Sequence, residues 1–221
     1  MTADDQLQEE IEIESEVYGD IIQGNFMDSY RNLTYKSIMS LKYAVYHCPK
    51  VRYILKVDDD TFVNMPLLLN FLKNNLPYNT SNLILCNDIT GSPVVRNKQS
   101  KWYVPEDVYP EAFYPSYCFG WYAIFSSDVC FQLYKESQKL KYVNIEDAFL
   151  FGIAAGKANL THTDISKYTL QGRDPNLLFD GAYDKMNLLV GAPEMSIQLV
   201  KKFWNYFRGK PVHSSIADFV A

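Results

Sequence analysis

Several signatures are missing from this chain of 221 residues, and each absence removes a class of protein. No basic stripe runs along it, which argues against a nucleic-acid partner. No stretch approaches the ~20 apolar residues of a membrane span, and the N-terminus is acidic rather than signal-like. Its four cysteines, Cys48, Cys86, Cys118 and Cys130, show no C-x-x-C spacing, so a structural zinc site is not expected. An even count permits up to two disulfides in an oxidising compartment, and four reduced thiols would read the same. Internal repeats, low-complexity tracts and Gly/Ser linkers are also lacking.

Aromatic residues, in contrast, are plentiful. The 17 Tyr and 13 Phe, with 48% apolar residues overall, point to a folded globule with a sizeable core. The formal charge of −5 is uneven. Residues 1–16 hold seven acids and no Lys or Arg; the remainder has 19 acids against 21 bases and is close to neutral. This divides the chain into an acidic segment, 1–16, and a body, 17–221. Sequons at Asn32, Asn79 and Asn159 are compatible with a secretory route.

Helical patterns alternate with short apolar strands, the pattern of an α/β layer structure. A helix is expected from about Asp28-Ser29 to His47, with Ile38, Leu41, Val45 and Cys48 on one face and Pro49 ending it. The run 51–57 reads as a strand, 66–75 as a helix opened by Pro66, and 83–86 as a buried strand. Residues 87–125 read as short strands and long loops. The apolar run 147–155 reads as a buried helix, and 194–207 as a final amphipathic one.

Three constellations can carry chemistry. The sharpest is Asp58-Asp59-Asp60, directly after the strand ending in Lys56-Val57. Ligands of open α/β sheets bind beyond the carboxyl ends of strands. Three adjacent carboxylates repel one another, and a hard divalent cation such as Mg²⁺ or Mn²⁺, shared with substrate phosphates, relieves this. The alternative is a solvated turn with one Asp as a helix cap. Glu146-Asp147 opens the buried helix, where one carboxylate could stay ionised as a base or merely cap the helix. Tyr114-Pro-Ser-Tyr-Cys-Phe-Gly120 is an aromatic turn in which Gly120 permits close backbone approach.

In this order the pieces resemble the family 31 glycosyltransferases, the inverting beta-1,3-galactosyltransferases and beta-1,3-N-acetylglucosaminyltransferases. The resemblance rests on Tyr18-Gly-Asp-Ile-Ile-Gln23, on Phe26-Met-Asp-Ser-Tyr-Arg-Asn-Leu-Thr-Tyr-Lys36 and on Cys48-Pro49. It continues in Tyr53 to Asn64, Lys101-Trp-Tyr103, Tyr114 to Gly120, and Glu146-Asp-Ala-Phe-Leu-Phe-Gly152. It implies a GT-A type, Rossmann-like α/β sandwich whose first strand, with any anchor and stem, would precede residue 1.

It further implies a hexosyltransferase moving galactose or N-acetylglucosamine from a UDP-sugar donor to a glycan acceptor, in a beta-1,3 linkage, in the Golgi lumen. Asp60 would bind Mn²⁺ or Mg²⁺, with Lys56, Asp58 and Asp59 holding the donor. Asp147, beside Glu146, would be the base, and Trp102, Tyr117 and Gly120 would meet substrate. A metal-ligand His expected before the last helix is replaced by Gly191, with His162 and His213 as possible substitutes. A catalytically inactive glycan-binding or partner-stabilising relative is the alternative.

Overall fold

In the computed structural model, residues 4–181 and 187–209 are described; His213 lies outside them. The chain forms two compact units. One comprises Met1–Val51, Thr90–Tyr117 and Cys130–Asn159; the other comprises Arg52–Ile89, Cys118–Val129 and Leu160–Ala221.

The second unit holds a four-stranded mixed sheet in the order β1-β5-β2-β6, confirming the α/β class. Its strands are β1 (Tyr53–Val57), β2 (Ile84–Cys86), β5 (Tyr122–Ser126) and β6 (Thr163–Asp164). Between them in sequence lie two-residue strands, β3 (Asp88–Ile89) and β4 (Tyr117–Cys118). β5 is antiparallel to β1, pairing Tyr53 with Ser126 and Val57 with Tyr122, and antiparallel to β2; β2 and β6 are parallel. β5 is buried along its whole length, as expected of a strand with a neighbour on each edge and cover on both faces.

Two apolar clusters fill this unit. One gathers Leu68, Phe71, Leu85, Trp121, Tyr122, Ile124 and Leu189; the other gathers Phe62, Leu170, Leu188, Met195 and Phe203. Helix α3 (Met65–Asn74) follows the strand-turn in the expected place. Asn64 caps it by accepting from the Leu67 amide, and Pro66 sits in its first turn. The last helix among the described residues, α6 (Ile197–Phe207), starts three residues later than the pattern suggested. Glu194 adopts a left-handed φ of 58°, and Ser196 supplies the cap.

A disulfide joins Cys86, the last residue of β2, to Cys118. Beside it Tyr122 donates to Asn87 Oδ1 at 2.7 Å, and Asn87 Nδ2 donates to Gln171, so this buried polar group is satisfied.

The first unit contains α1 (Asp5–Tyr18), which buries no residue, and α2 (Leu33–His47), preceded by a 3₁₀ turn at Tyr30–Asn32. The expected α2 face is correct: Leu41 is buried and Ile38, Val45 and Cys48 are half-buried. Helix α4 (Ser127–Ser137) ends in this unit. The run 147–155 is helical but wound differently from expectation. Ala148–Ala154 is a π-helix, continued by one α-turn, α5 (Ala155–Lys157).

Cys48 and Cys130 remain thiols. Burial, and then the neighbouring Cys48, push the Cys130 thiol up to about 11 from 9.0. Its folded value exceeds its unfolded one, so the stability it contributes is complete below about pH 9 and is lost as pH rises through about 11. At pH 8 a thiol reagent should label Cys48 and spare Cys130 until denaturant is added, as read by mass spectrometry. Equal native labelling would contradict this placement.

Candidate active site

The acidic triplet stands where the β1–β5 ladder stops. The Asp58 amide donates to Trp121 O at 3.0 Å, extending the ladder by one bond, and the Thr61 amide then donates back to Asp58 O at 3.2 Å. The chain therefore turns at 58–61, and all three Asp residues are exposed. Lys56 comes from the strand itself. Its ammonium donates to Gly120 O at 2.6 Å and lies 3.9 Å from Asp58 Oδ1. Lys56, Asp58 and Gly120, selected separately from sequence, thus meet at one strand end. Beyond the turn, the Met195 amide donates to Asp60 O at 2.9 Å and the Gly191 amide to Phe62 O at 2.8 Å, fixing the loop against 191–195.

Gly191 stands where the resemblance leads one to expect a ligand His, and a side chain there would require its neighbours to shift. A Cβ would lie 2.9 Å from Met195 Sδ, 3.2 Å from Phe62 Cβ and 3.3 Å from Phe62 O. His162 is engaged elsewhere, its Nδ1 2.9 Å from Asp88 Oδ1. Among the described residues no three His, Cys, Asp or Glu side chains form a metal-holding group. The donor set fits only a cation that takes one or two carboxylates and completes its shell with substrate phosphates and water, a common mode for Mg²⁺.

In the first unit, Asp147 opens the π-helical run and caps it, its Oδ1 accepting from the Ala148 amide at 2.8 Å. Asp147 and Glu146 are both half-buried. Gly152, one turn along, lets this run approach the aromatic turn. A Cβ there would lie 3.2 Å from Tyr117 Cβ and 3.4 Å from Pro115 Cγ. Burial raises the Tyr117 hydroxyl above its ordinary range; Ser92 counters by hydrogen bonding and the Asp147 charge adds to the rise. Tyr114 is raised more strongly, first by burial and then by Tyr117, with Asp147 also contributing. Both rings therefore lie within electrostatic reach of Asp147. Wide helical turns recur at functional sites.

The sequence did not flag Arg96, which organises the loop that carries this turn. Its guanidinium donates to Val104 O at 2.8 Å, Tyr109 O at 2.7 Å and Glu111 O at 2.8 Å. Its partners there are backbone carbonyls, so no residue pairing in the sequence announces it. Trp102 was expected at the site, and half of it is exposed. Its Nε1 donates to Tyr30 Oη at 2.9 Å.

A sequence model described as galactosyltransferase matches residues 1–166, a span that includes the Asp triplet, the aromatic turn and Asp147. The chain belongs to the galactosyltransferase family. It is 38% identical over 148 residues to beta-1,3-galactosyltransferase 1 of Mus musculus and of Homo sapiens, covering 67% of this chain and 45% of each relative. It is also 38% identical over 159 residues to human beta-1,3-galactosyltransferase 2, covering 70% of this chain and 36% of that protein. The chain thus spans less than half the length of these relatives.

Proposed function

We propose that this chain transfers galactose or N-acetylglucosamine from a UDP-sugar to a hydroxyl of an acceptor sugar, inverting the anomeric carbon and leaving a beta-1,3 linkage. The observation that carries this reading is the family match over 1–166, which spans both carboxylate groups. Asp58, Asp59 and Asp60 hold the donor at the end of β1, with Lys56 fixing Asp58 and the Gly120 carbonyl. Asp60 would hold a divalent cation, Mn²⁺ or Mg²⁺, which would supply charge neutralisation for the leaving group.

Asp147 accepts the proton of the attacking hydroxyl. The acceptor oxygen bonds to the anomeric carbon as the bond from that carbon to the diphosphate oxygen breaks, and UDP leaves with the bonding pair. Glu146 flanks the base, and Trp102 and Tyr117 meet the acceptor. General-base removal of the proton contributes typically 10²–10⁴ in rate.

The disulfide supports residence in an oxidising compartment, consistent with the Golgi lumen. No helix among the described residues is long and apolar enough to cross a membrane. An inactive, partner-stabilising role is the second reading, favoured by Gly191 in the tightly packed place where a ligand His is expected.

The test is incubation with UDP-galactose or UDP-N-acetylglucosamine, methyl β-glycoside acceptors and Mn²⁺, following UDP release and product by NMR. A beta-linked disaccharide is expected. UDP binding without any transfer would favour the second reading, and failure to bind UDP at all would remove the first.

A further inference from the structure

The exposed rings of Tyr30 and Trp102 form a hydrogen-bonded pair. They are 45% and 50% exposed, yet their geometry is set: Trp102 Nε1 donates to Tyr30 Oη at 2.9 Å. The Trp102 backbone is held in a turn, its amide donating to Ser100 Oγ at 3.2 Å and the Tyr103 amide to Ser100 O at 3.1 Å. Holding large rings in one geometry in water costs rotamer entropy and leaves apolar surface wet. The Lys101 ammonium lies over both rings, 4.8 Å from the Trp102 centroid and 5.3 Å from that of Tyr30.

The pair is also tied to the segment that leads into the base. Tyr142 donates to Arg31 O and stacks on Tyr35 with centroids 4.4 Å apart; Thr34 Oγ1 donates to Val143 O at 2.8 Å. Asn144 Nδ2 donates to Tyr103 O at 3.3 Å. Three successive residues, 142, 143 and 144, thus strap the Tyr30 turn and the Trp102 turn to the run entering Glu146-Asp147. A ligand seated on the two rings would be registered against Asp147 by the frame of a single unit.

We infer that Tyr30 and Trp102, with Lys101, form a stacking platform for a neutral pyranose of the acceptor glycan. The sugar lays its apolar C–H face on the rings, and the flexible Lys101 stem swings aside to donate to its hydroxyls. Aromatic bodies with polar rims suit a ligand that is apolar on one face and hydroxylated at its edge. This inference rests on the transferase reading above and names the acceptor-side ligand of that site.

The experiment compares wild type with Trp102→Ala and Trp102→Phe, using methyl β-galactopyranoside and methyl β-N-acetylglucosaminide as probes. Trp102→Ala should raise the acceptor KM about tenfold or more, the effect of truncating an aromatic anchor, and leave the KM for UDP-sugar and the Kd for UDP unchanged. Trp102→Phe should keep most of the affinity. An unchanged acceptor KM, or a fall in kcat alone, would overturn the platform while leaving the transferase reading intact.

Binding is read separately by saturation-transfer NMR. Protons on one face of the pyranose should receive signal from wild type and lose it with Trp102→Ala, whether or not turnover occurs. Equal signal from both proteins, or none from wild type, would overturn the platform. Loss of UDP binding in wild type would instead strike the transferase reading.

Discussion

Replacing Asp147 by Asn should lower the transfer rate by about 10²–10⁴, the usual contribution of a positioned general base, with little change in UDP affinity. The isosteric amide isolates the chemistry. An Asn oxygen still accepts from the Ala148 amide, so the helix cap at 2.8 Å survives and the π-helical run keeps its start. What is lost is a group able to take a proton. Glu146→Gln is the matched control on the adjacent half-buried carboxyl and should cost far less. Transfer at the wild-type rate in Asp147→Asn, measured in single-turnover reactions to exclude slow product release, would remove the assigned base.

The second large effect concerns stability. Cys86 and Cys118 are 32 residues apart in sequence, and their bond constrains the unfolded chain. By the chain-entropy relation a loop of that length is worth roughly 3–4 kcal/mol. Cys86→Ser with Cys118→Ser should therefore lower Tm by about 10 °C for a domain of this size, read by calorimetry. Tm should fall similarly when wild type is reduced before heating. A shift within a degree or two would mean that the two ends are held by packing and by the Tyr122–Asn87–Gln171 bonds alone.

What the sequence revealed depended on how local each cause is. Pro66 marks the first turn of α3 by chemistry confined to that turn, and it placed the helix correctly. The end of β1 was legible because an apolar run gives way abruptly to three carboxylates. The start of α6 was misplaced because Glu194 adopts a left-handed backbone that its residue type does not signal. A π-helical winding at 148–154 has no distinct apolar period in so short a run, so it was read as an ordinary helix.

The pairing of Cys86 with Cys118 could not be chosen among the alternatives that four cysteines allow. Arg96, Tyr30 and the 142–144 strap act through bonds spanning from eight to more than a hundred residues of chain. No local pattern encodes such distances. The candidate residues could be picked out as chemical types, whereas the frame around them was not legible.

In the proposed reaction the triplet at 58–60 holds the donor and the carboxylate at 147 takes the proton. The most direct measurement follows UDP affinity and transfer rate together for wild type, the combined Asp58→Asn/Asp60→Asn variant and Asp147→Asn. The triplet variant should lose both UDP-sugar binding and transfer, while Asp147→Asn should bind UDP normally and fail only in transfer. Wild-type transfer by the triplet variant, or loss of UDP binding confined to Asp147→Asn, would contradict that assignment.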